Sequence, residues 1–101
     1  MRKLDILSTE GFDWDDGNRH KVLGRHQVSV QECEQIFENK PLIILADTKH
    51  SQHEDRFAAF GRTNQDRRIF LIFTCRGNLI RIISARNMNK EERVFYVQKT
   101  N

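Results

Sequence analysis

The feature that most constrains the fold is a pair of apolar runs on either side of a tight turn. Residues 69–75 read Ile-Phe-Leu-Ile-Phe-Thr-Cys, and residues 79–86 read Leu-Ile-Arg-Ile-Ile-Ser-Ala-Arg. The Gly77-Asn78 pair between them is typical of a hairpin turn. Because both runs are apolar at successive positions, both faces of these strands must be covered. The two runs therefore predict central strands of an antiparallel sheet.

Two shorter runs extend this sheet on its N-terminal side. Residues 42–46 are a short apolar segment, and residues 56–62 form a second one after a polar loop. Short polar connections between all four segments predict an antiparallel meander of four strands.

The segments that flank the meander are helical in their spacing. A first helix is predicted over residues 17–25, and a second begins at Ser29-Val30-Gln31-Glu32, a capping-box pattern. A similar cap-plus-acid start at Asn89-Lys90-Glu91-Glu92 predicts a C-terminal helix. The order α-α-β-β-β-β-α predicts an α+β fold: a four-stranded antiparallel sheet with two N-terminal helices and one C-terminal helix.

Length and composition exclude several classes of protein. With 101 residues the chain is expected to form a single domain over 1–101. It has no apolar run near the ~20 residues of a membrane span and no apolar leader typical of secretion, so we expect a cytoplasmic protein without a membrane partner. The two cysteines, Cys33 and Cys75, are too few for a disulfide scaffold and agree with a reducing compartment.

The charge balance favours an anionic partner without requiring one. Lys and Arg number 17 against 14 Asp and Glu, which gives a net charge of +3 and a sequence pI of about 9.1. Most of these cations are arginine, whose planar guanidinium suits phosphate and carboxylate recognition. The values are compatible with nucleic-acid binding and equally with an ordinary globular domain.

Metal and nucleophile signals are weak. His50-x-x-His53 lies in a polar loop with no helix to fix its geometry. We therefore interpret this segment as a solvated loop rather than as a metal site. Cys33 and Cys75 fit core positions and lack a neighbouring histidine in a nucleophile motif. We therefore predict neither a metal nor a cofactor.

Arginines on apolar strands are the strongest chemical signal. By strict alternation Arg81 shares a face with Leu79 and Ala85, and Arg86 lies on the opposite face. Arg76 lies across the hairpin turn. An arginine on such a strand needs an anionic partner. That partner is either an internal carboxylate, such as Glu54 or Asp55, or a phosphate. Arg56 and Arg62 bracket the second predicted strand.

A series of short motifs runs along the chain in a fixed order. The motifs are Phe12-Asp13-Trp14-Asp15-Asp16-Gly17-Asn18, Arg25-His26 followed by Val28-Ser29, Pro41-Leu42, Lys49-His50-Ser51, Glu54-x-Arg56-Phe57, Gly61-Arg62-Thr63, Phe73-Thr74-x-Arg76, Ile80-Arg81-Ile82-Ile83-Ser84-Ala85-Arg86-x-Met88 and Glu92-Arg93-x-x-Tyr96. This series resembles the BrnT toxins from about Phe12 to Tyr96. The chain departs from the family at Arg25, where lysine is usual, and at Gln27, where glycine or asparagine usually accepts a left-handed helix end.

The resemblance implies a toxin endoribonuclease of a bacterial type II toxin–antitoxin system, with a RelE-like fold and inhibition by a BrnA-type antitoxin. Its partners would be RNA and that antitoxin, with operator DNA reached only through the antitoxin. RNA supplies its own 2′-hydroxyl nucleophile, so cleavage needs a base, an acid and cations rather than a metal. The predicted catalytic residues are His26, Glu54, Arg81, Arg86 and Tyr96. The predicted RNA-binding residues are Lys21, Arg25, Arg62 and Arg76.

Besides the endoribonuclease, two other functions stay open at the level of the sequence. The chain could be a catalytically silent homologue that only binds its antitoxin, and with it operator DNA. A metal-binding domain built on His50 and His53 is a weaker third possibility. His26 could simply bond a helix end, and Tyr96 could be a core aromatic. Three short helices are too few to cover both sheet faces, so we expect an apolar patch on residues 69–86 that the antitoxin covers together with Arg76, Arg81 and Tyr96.

Overall fold

The computed structural model describes residues 9–50 and 53–100. The elements in chain order are β1 (Gly11–Phe12), α1 (Asp16–Leu23), α2 (Val30–Glu38), β2 (Ile43–Ala46), a short 3-10 helix (Thr48–His50), β3 (Arg56–Arg62), β4 (Arg68–Arg76), β5 (Leu79–Asn87) and α3 (Lys90–Thr100). The α+β class, the three helices and the four predicted strands are confirmed. The predicted helix over 17–25 is shorter at its end, because Gly24 caps α1 after Leu23.

Within residues 9–50 and 53–100 the sheet has five strands rather than the predicted four. Their order is β1-β5-β4-β3-β2, and β2 to β5 form the expected antiparallel meander. The prediction of a purely antiparallel sheet is wrong, because Gly11 and Phe12 pair in parallel with Leu79 and Ile80. This short strand gives β5 a neighbour on its outer side and makes it internal to the sheet.

A bulge in β5 overturns the predicted faces of its two arginines. Phe73 pairs with Ile82 but Ile72 pairs with Ser84, so Ile83 is an extra residue on β5. A bulge of this kind shifts the alternation by one position. Arg81 and Arg86 therefore lie on the same face of the sheet, opposite to Ala85, and not on opposite faces as strict alternation predicts.

The two faces of the sheet are covered differently. Helices α1 and α2 pack on one face around a core that includes Val22, Ile36, Leu71 and Phe73. Helix α3 lies on the other face, where Tyr96 and Phe95 pack against a smaller cluster with Phe60, Phe70 and Met88. Since α3 covers only this cluster, the part of the second face that carries Arg56, Thr74 and Arg81 lies outside it.

The expected apolar patch on residues 69–86 is not found. Among the described residues the large apolar side chains that are exposed are Leu23, Leu45, Val94 and Val97, and none lies on β4 or β5. The apolar residues of β4 and β5 are buried or half-buried, because α1 and α2 pack on one face and α3 packs on part of the other. None of the helices within residues 9–50 and 53–100 has the length and apolar character that crossing a membrane requires.

Candidate functional site

Six arginines project from the sheet face that α3 partly covers. The strand register and the alternation of side chains place them on this face. Strands β3 and β4 pair without interruption, and the bulge in β5 puts Arg86 on the same face as Arg81. They are Arg56, Arg62, Arg68, Arg76, Arg81 and Arg86. We call this surface the arginine face.

An open cleft of about 210 Å³ lies at one end of the arginine face, between α1 and the strands. Its lining includes four cations, and the strand pairing explains three of them. Arg56, Thr74 and Arg81 form one row across β3, β4 and β5, and Arg76 follows on β4. Lys21 reaches the cleft from α1. Of the residues predicted from the sequence, the cleft therefore brings together Lys21, Glu54, Arg76 and Arg81.

Glu54 is the carboxylate that lines this cleft. One of its oxygens lies 3.8 Å from a guanidinium nitrogen of Arg56, and the other lies 3.6 Å from Arg76. Both distances are longer than a direct hydrogen bond. The side chain of Arg76 is 55% exposed, so its guanidinium is accessible to a ligand from solvent.

Arg81 has an internal partner, but that partner is neither Glu54 nor Asp55. Its guanidinium lies 2.9 Å and 3.2 Å from the two carboxylate oxygens of Asp15 and 3.6 Å from Asp13, and its side chain is only 15% exposed. The hydrogen bond from Arg81, assisted by the Asn18 backbone amide, lowers the pKa of Asp15 below its ordinary value. The same contact raises the pKa of Arg81. Arg81 is thus firmly paired in the cleft wall.

Asp15 also fixes the start of α1. It forms a capping box with Asn18, in which each side chain accepts the backbone N–H of the other residue. The buried Asn18 side chain then donates to the carbonyls of Asp13 and Ile82. The Asp15–Arg81 pair and the Asn18 amide therefore attach α1 to β5, which places Lys21 at the cleft.

Arg86 lies outside the cleft, at the junction of β5 and α3. Its guanidinium makes two hydrogen bonds to the Glu92 carboxylate, of 2.7 Å and 2.9 Å, and lies 4.5 Å from the centre of the Phe70 ring. Burial opposes ionisation of Glu92, but the bonds from Arg86 and from the Asn89 backbone amide outweigh it and lower the pKa of that carboxyl. Arg86 therefore joins α3 to the sheet.

Tyr96 and Arg62 lie in a second pocket, at the other end of the arginine face. The Tyr96 hydroxyl donates to the carbonyl of Pro41, and the side chain is almost fully buried. Burial raises the pKa of its phenol. Arg62 lines the same pocket and donates to the carbonyl of Lys40 at 2.8 Å.

Arg25 and His26 lie in the exposed turn after α1, and neither lines the cleft or the second pocket. Arg67 holds this turn by donating to the carbonyls of His26 and Gln27, both at 3.1 Å, while it pairs with Glu32 at 3.0 Å. No spacing in the sequence signals this role, because the acceptors are backbone carbonyls about 40 residues away.

The described residues contain no group of three or more His, Cys, Asp or Glu side chains suited to a metal ion. The structure describes the possible pair His50-x-x-His53 only in part, because the His50 side chain and residues 51–52 lie outside the described residues.

The charges of the cleft suit a phosphodiester. Guanidinium and ammonium groups bind phosphate through charge-assisted hydrogen bonds, and they stabilise the additional negative charge that develops when phosphorus becomes five-coordinate. A carboxylate among these cations can accept a proton from a hydroxyl held beside the phosphate. The arrangement is suited to hold an anion beside a carboxylate.

Comparison with known protein families agrees with this chemistry. A family model described as "Ribonuclease toxin, BrnT, of type II toxin-antitoxin system" matches residues 14–92. The chain belongs to the BrnT family. No curated protein matches it in sequence.

The part of the chain that matches the BrnT model contains the whole lining of the cleft, which runs in sequence from Gly17 to Ile83. Tyr96 lies beyond it. A ribonuclease toxin of a type II system acts on RNA and has an antitoxin partner, so membership in the BrnT family implies both for this chain.

Proposed function

We propose that this BrnT-family chain is a single-domain, RelE-like endoribonuclease that cleaves RNA in the cleft between α1 and the arginine face, without a metal. The observation that carries the proposal is the position of Glu54 between Arg56 and Arg76, in a cleft that Lys21 completes. A carboxylate beside phosphate-binding cations is what attack by an RNA 2′-hydroxyl requires.

The reaction divides among the side chains of the cleft. Arg76 and Lys21 bind the scissile phosphate, and Glu54 accepts the proton of the adjacent 2′-hydroxyl. The 2′-oxygen forms a bond to phosphorus while the bond to the 5′-oxygen breaks, and Arg56 stabilises the charge on the five-coordinate phosphorus. The Lys21 ammonium protonates the departing 5′-oxygen. The products are a 2′,3′-cyclic phosphate and a 5′-hydroxyl.

This assignment divides the residues predicted from the sequence. Glu54, Arg76, Arg81 and Lys21 belong to the cleft, with Arg81 acting through its bonds to the start of α1. His26, Arg86, Tyr96, Arg25 and Arg62 lie outside it, and we assign none of them to the chemical step.

The biological setting is part of the same proposal. The antitoxin is of the BrnA type, operator DNA is contacted only through it, and the toxin acts in the bacterial cytoplasm. A catalytically silent, antitoxin-binding homologue is the second candidate. It is favoured by one observation, the saturation of Arg81 by Asp15 and Asp13, which removes one cation from the phosphate site.

The test compares purified variants on total RNA in the presence of EDTA. We expect the natural chain to cleave RNA, and Glu54→Gln and Arg76→Gln each to lose about 10²- to 10⁴-fold in rate, the usual contribution of a proton-transferring or charge-stabilising group. Thermal unfolding of both variants should stay close to that of the natural chain, since both side chains line an open cleft. Arg19→Gln, a matched change on the exposed part of α1, should leave the rate unchanged.

Three results would contradict the proposal. Loss of cleavage with EDTA and its return with a divalent ion would refute the metal-free mechanism. Full activity of Glu54→Gln would refute the assignment of the base. A natural chain that binds its antitoxin yet never cleaves RNA would establish the silent homologue instead.

A further inference from the structure

We propose a second phosphate-binding site at the far end of the arginine face, in which Arg62 and Arg68 bind the RNA backbone and Asp66 competes with it. The inference rests on the proposed function, since it extends the RNA path of the same enzyme. It concerns binding rather than the chemical step.

The first observation is a pair of like charges in direct register. Arg62 and Arg68 are opposite each other at the last rung of the β3–β4 pairing. Like charges at directly opposed positions destabilise a sheet. An anion between the two guanidinium groups removes this repulsion and makes two arginines at this rung favourable.

The second observation is that Asp66 compensates only part of this charge. Its carboxylate accepts hydrogen bonds from Arg68 at 3.1 Å and 3.4 Å and lies 4.0 Å from Arg62. It is also exposed, with 57% of its side chain open to solvent. One carboxylate therefore serves two guanidinium groups, and a phosphate can displace it because it is not buried. The hydrogen bond from Arg68 keeps the pKa of Asp66 low, so it competes as an anion.

The third observation is that both arginines are held in place beside open space. The Arg62 side chain is anchored by its bond to the Lys40 carbonyl, and the Arg68 guanidinium lies 5.4 Å from the centre of the Tyr96 ring. They line a pocket of about 440 Å³ together with Tyr96 and Thr100. Guanidinium groups already fixed in position lose little side-chain entropy when a phosphate binds.

The position of this pocket indicates RNA as the occupant. Arg56 and Arg62 are on the same face of β3, six residues apart, which is roughly 20 Å at ~3.3 Å per residue. Helix α3 covers Phe60 between these two arginines, so an RNA chain has to pass around the helix and to span more than the roughly six nucleotides that the direct distance gives at ~3.4 Å per nucleotide. An RNA chain whose scissile phosphate lies in the cleft can thus place a later phosphate at Arg62 and Arg68, whereas a dinucleotide cannot.

The test measures binding of oligouridylates made non-cleavable by 2′-O-methylation, by fluorescence anisotropy over a range of salt concentrations. Asp66→Asn should bind an oligomer of about twelve nucleotides several-fold more tightly, because it removes the competing charge. Asparagine tolerates the positive φ of residue 66 (64°), so the turn is preserved. Arg68→Gln should weaken this binding and reduce the slope of log K against log salt by about 0.7, the loss of one phosphate contact.

Matched variants separate this effect from general changes in charge or folding. Arg68→Lys keeps the charge and should retain the slope. Glu38→Gln removes a carboxylate from α2, on the opposite face of the sheet, and should not tighten binding. The dinucleotide should respond to Lys21→Gln but not to Asp66→Asn.

The outcomes distinguish this inference from the proposed function. Unchanged or weaker binding of the long oligomer by Asp66→Asn overturns the second site. The second site is also refuted if Asp66→Asn changes only the affinity for the purified antitoxin, because the pocket then serves an acidic protein segment. Failure of the proposed function would be seen separately. In that case Lys21→Gln would leave the affinity for the dinucleotide unchanged, while Asp66→Asn would still tighten the binding of the long oligomer.

Discussion

Gln27 holds a backbone conformation that glutamine adopts at a cost. Its φ is 52°, in the left-handed region where the β-carbon of an ordinary residue is crowded. Its carbonyl, and that of His26, accept hydrogen bonds from Arg67, and Arg67 also pairs with Glu32 near the start of α2. These contacts keep the turn in this conformation despite the strain at residue 27.

Gln27→Gly is therefore expected to stabilise the protein. The substitution removes the crowding and keeps the carbonyl that Arg67 contacts, so the free energy of unfolding should rise by about 1 kcal/mol, less the greater chain entropy of glycine. Chemical denaturation measures the change. Gln31→Gly, at an exposed position of α2 with ordinary helical φ, should lower the stability instead. A lower stability for Gln27→Gly would mean that the turn is not strained.

The packing of α2 on β3 depends on the absence of a side chain at Gly61. A β-carbon there would lie 2.9 Å from the β-carbon of Ile36 and 3.3 Å from its carbonyl oxygen. Both are near the helix backbone, which cannot move aside as a flexible side chain would. We expect Gly61→Ala to lower the free energy of unfolding by about 1–3 kcal/mol.

The control for this prediction is Gly77, which has a positive φ (60°) but open space around it. Gly77→Asn should change the stability little, since asparagine accepts this conformation. Equal effects at the two glycines would show that close packing of α2 is not what Gly61 provides.

The attachment of α3 predicts a dependence of stability on pH. The pKa of Glu92 is lowered in the folded protein from an ordinary value of 4.5, so its contribution is complete above that pH and is lost as the pH falls through the lowered value. Glu92→Gln should reduce the free energy of unfolding by about 1 kcal/mol at neutral pH, a modest figure because water screens the partly exposed Arg86. The difference from the natural chain should vanish at strongly acidic pH. A difference that is constant with pH would show that the charge of Glu92 does not contribute to stability.

The helices and antiparallel strands could be predicted because their signals are local. The capping patterns at Ser29 and Asn89 and the apolar runs before and after Gly77 each lie within a few residues. The two-residue strand β1 is too short to show the alternation of apolar and polar residues by which a strand is predicted. The bulge at Ile83 cannot be recognised within an apolar run of the sequence, yet this single residue decides on which face of the sheet Arg86 lies.

The candidate site could be predicted only in part, for a related reason. Arg76 and Arg81 stand out because arginine is unusual on apolar strands, but Asp15 as the partner of Arg81 is 66 residues away. That pairing depends on β1 and α1 lying along β5, which no spacing indicates. The proximity of Glu54 to Arg56 and Arg76 likewise follows from the register of β3 and β4.

At the scale of the whole molecule, the positions of the charged residues are more informative than the net charge. A net charge of +3 is modest, yet six arginines lie on one sheet face, whereas the opposite face is covered by α1 and α2 around an apolar core. Such an arrangement attracts a polyanion to one side of the molecule and orients it there. The carboxylates that lie among these arginines limit the charge and so weaken unspecific binding.

The parallel pairing of β1 with β5 has a consequence for the synthesis of the chain. Gly11 pairs with Leu79, and Asp15 forms an ion pair with Arg81. The cleft therefore forms only when residues from near both ends of the chain are present. Chains emerge from the ribosome N-terminus first at roughly 5–20 residues per second. A nascent or prematurely terminated chain therefore carries Lys21 and Glu54 without the strand β5 to which α1 is attached. Translation must proceed beyond residue 81 before the cleft can form.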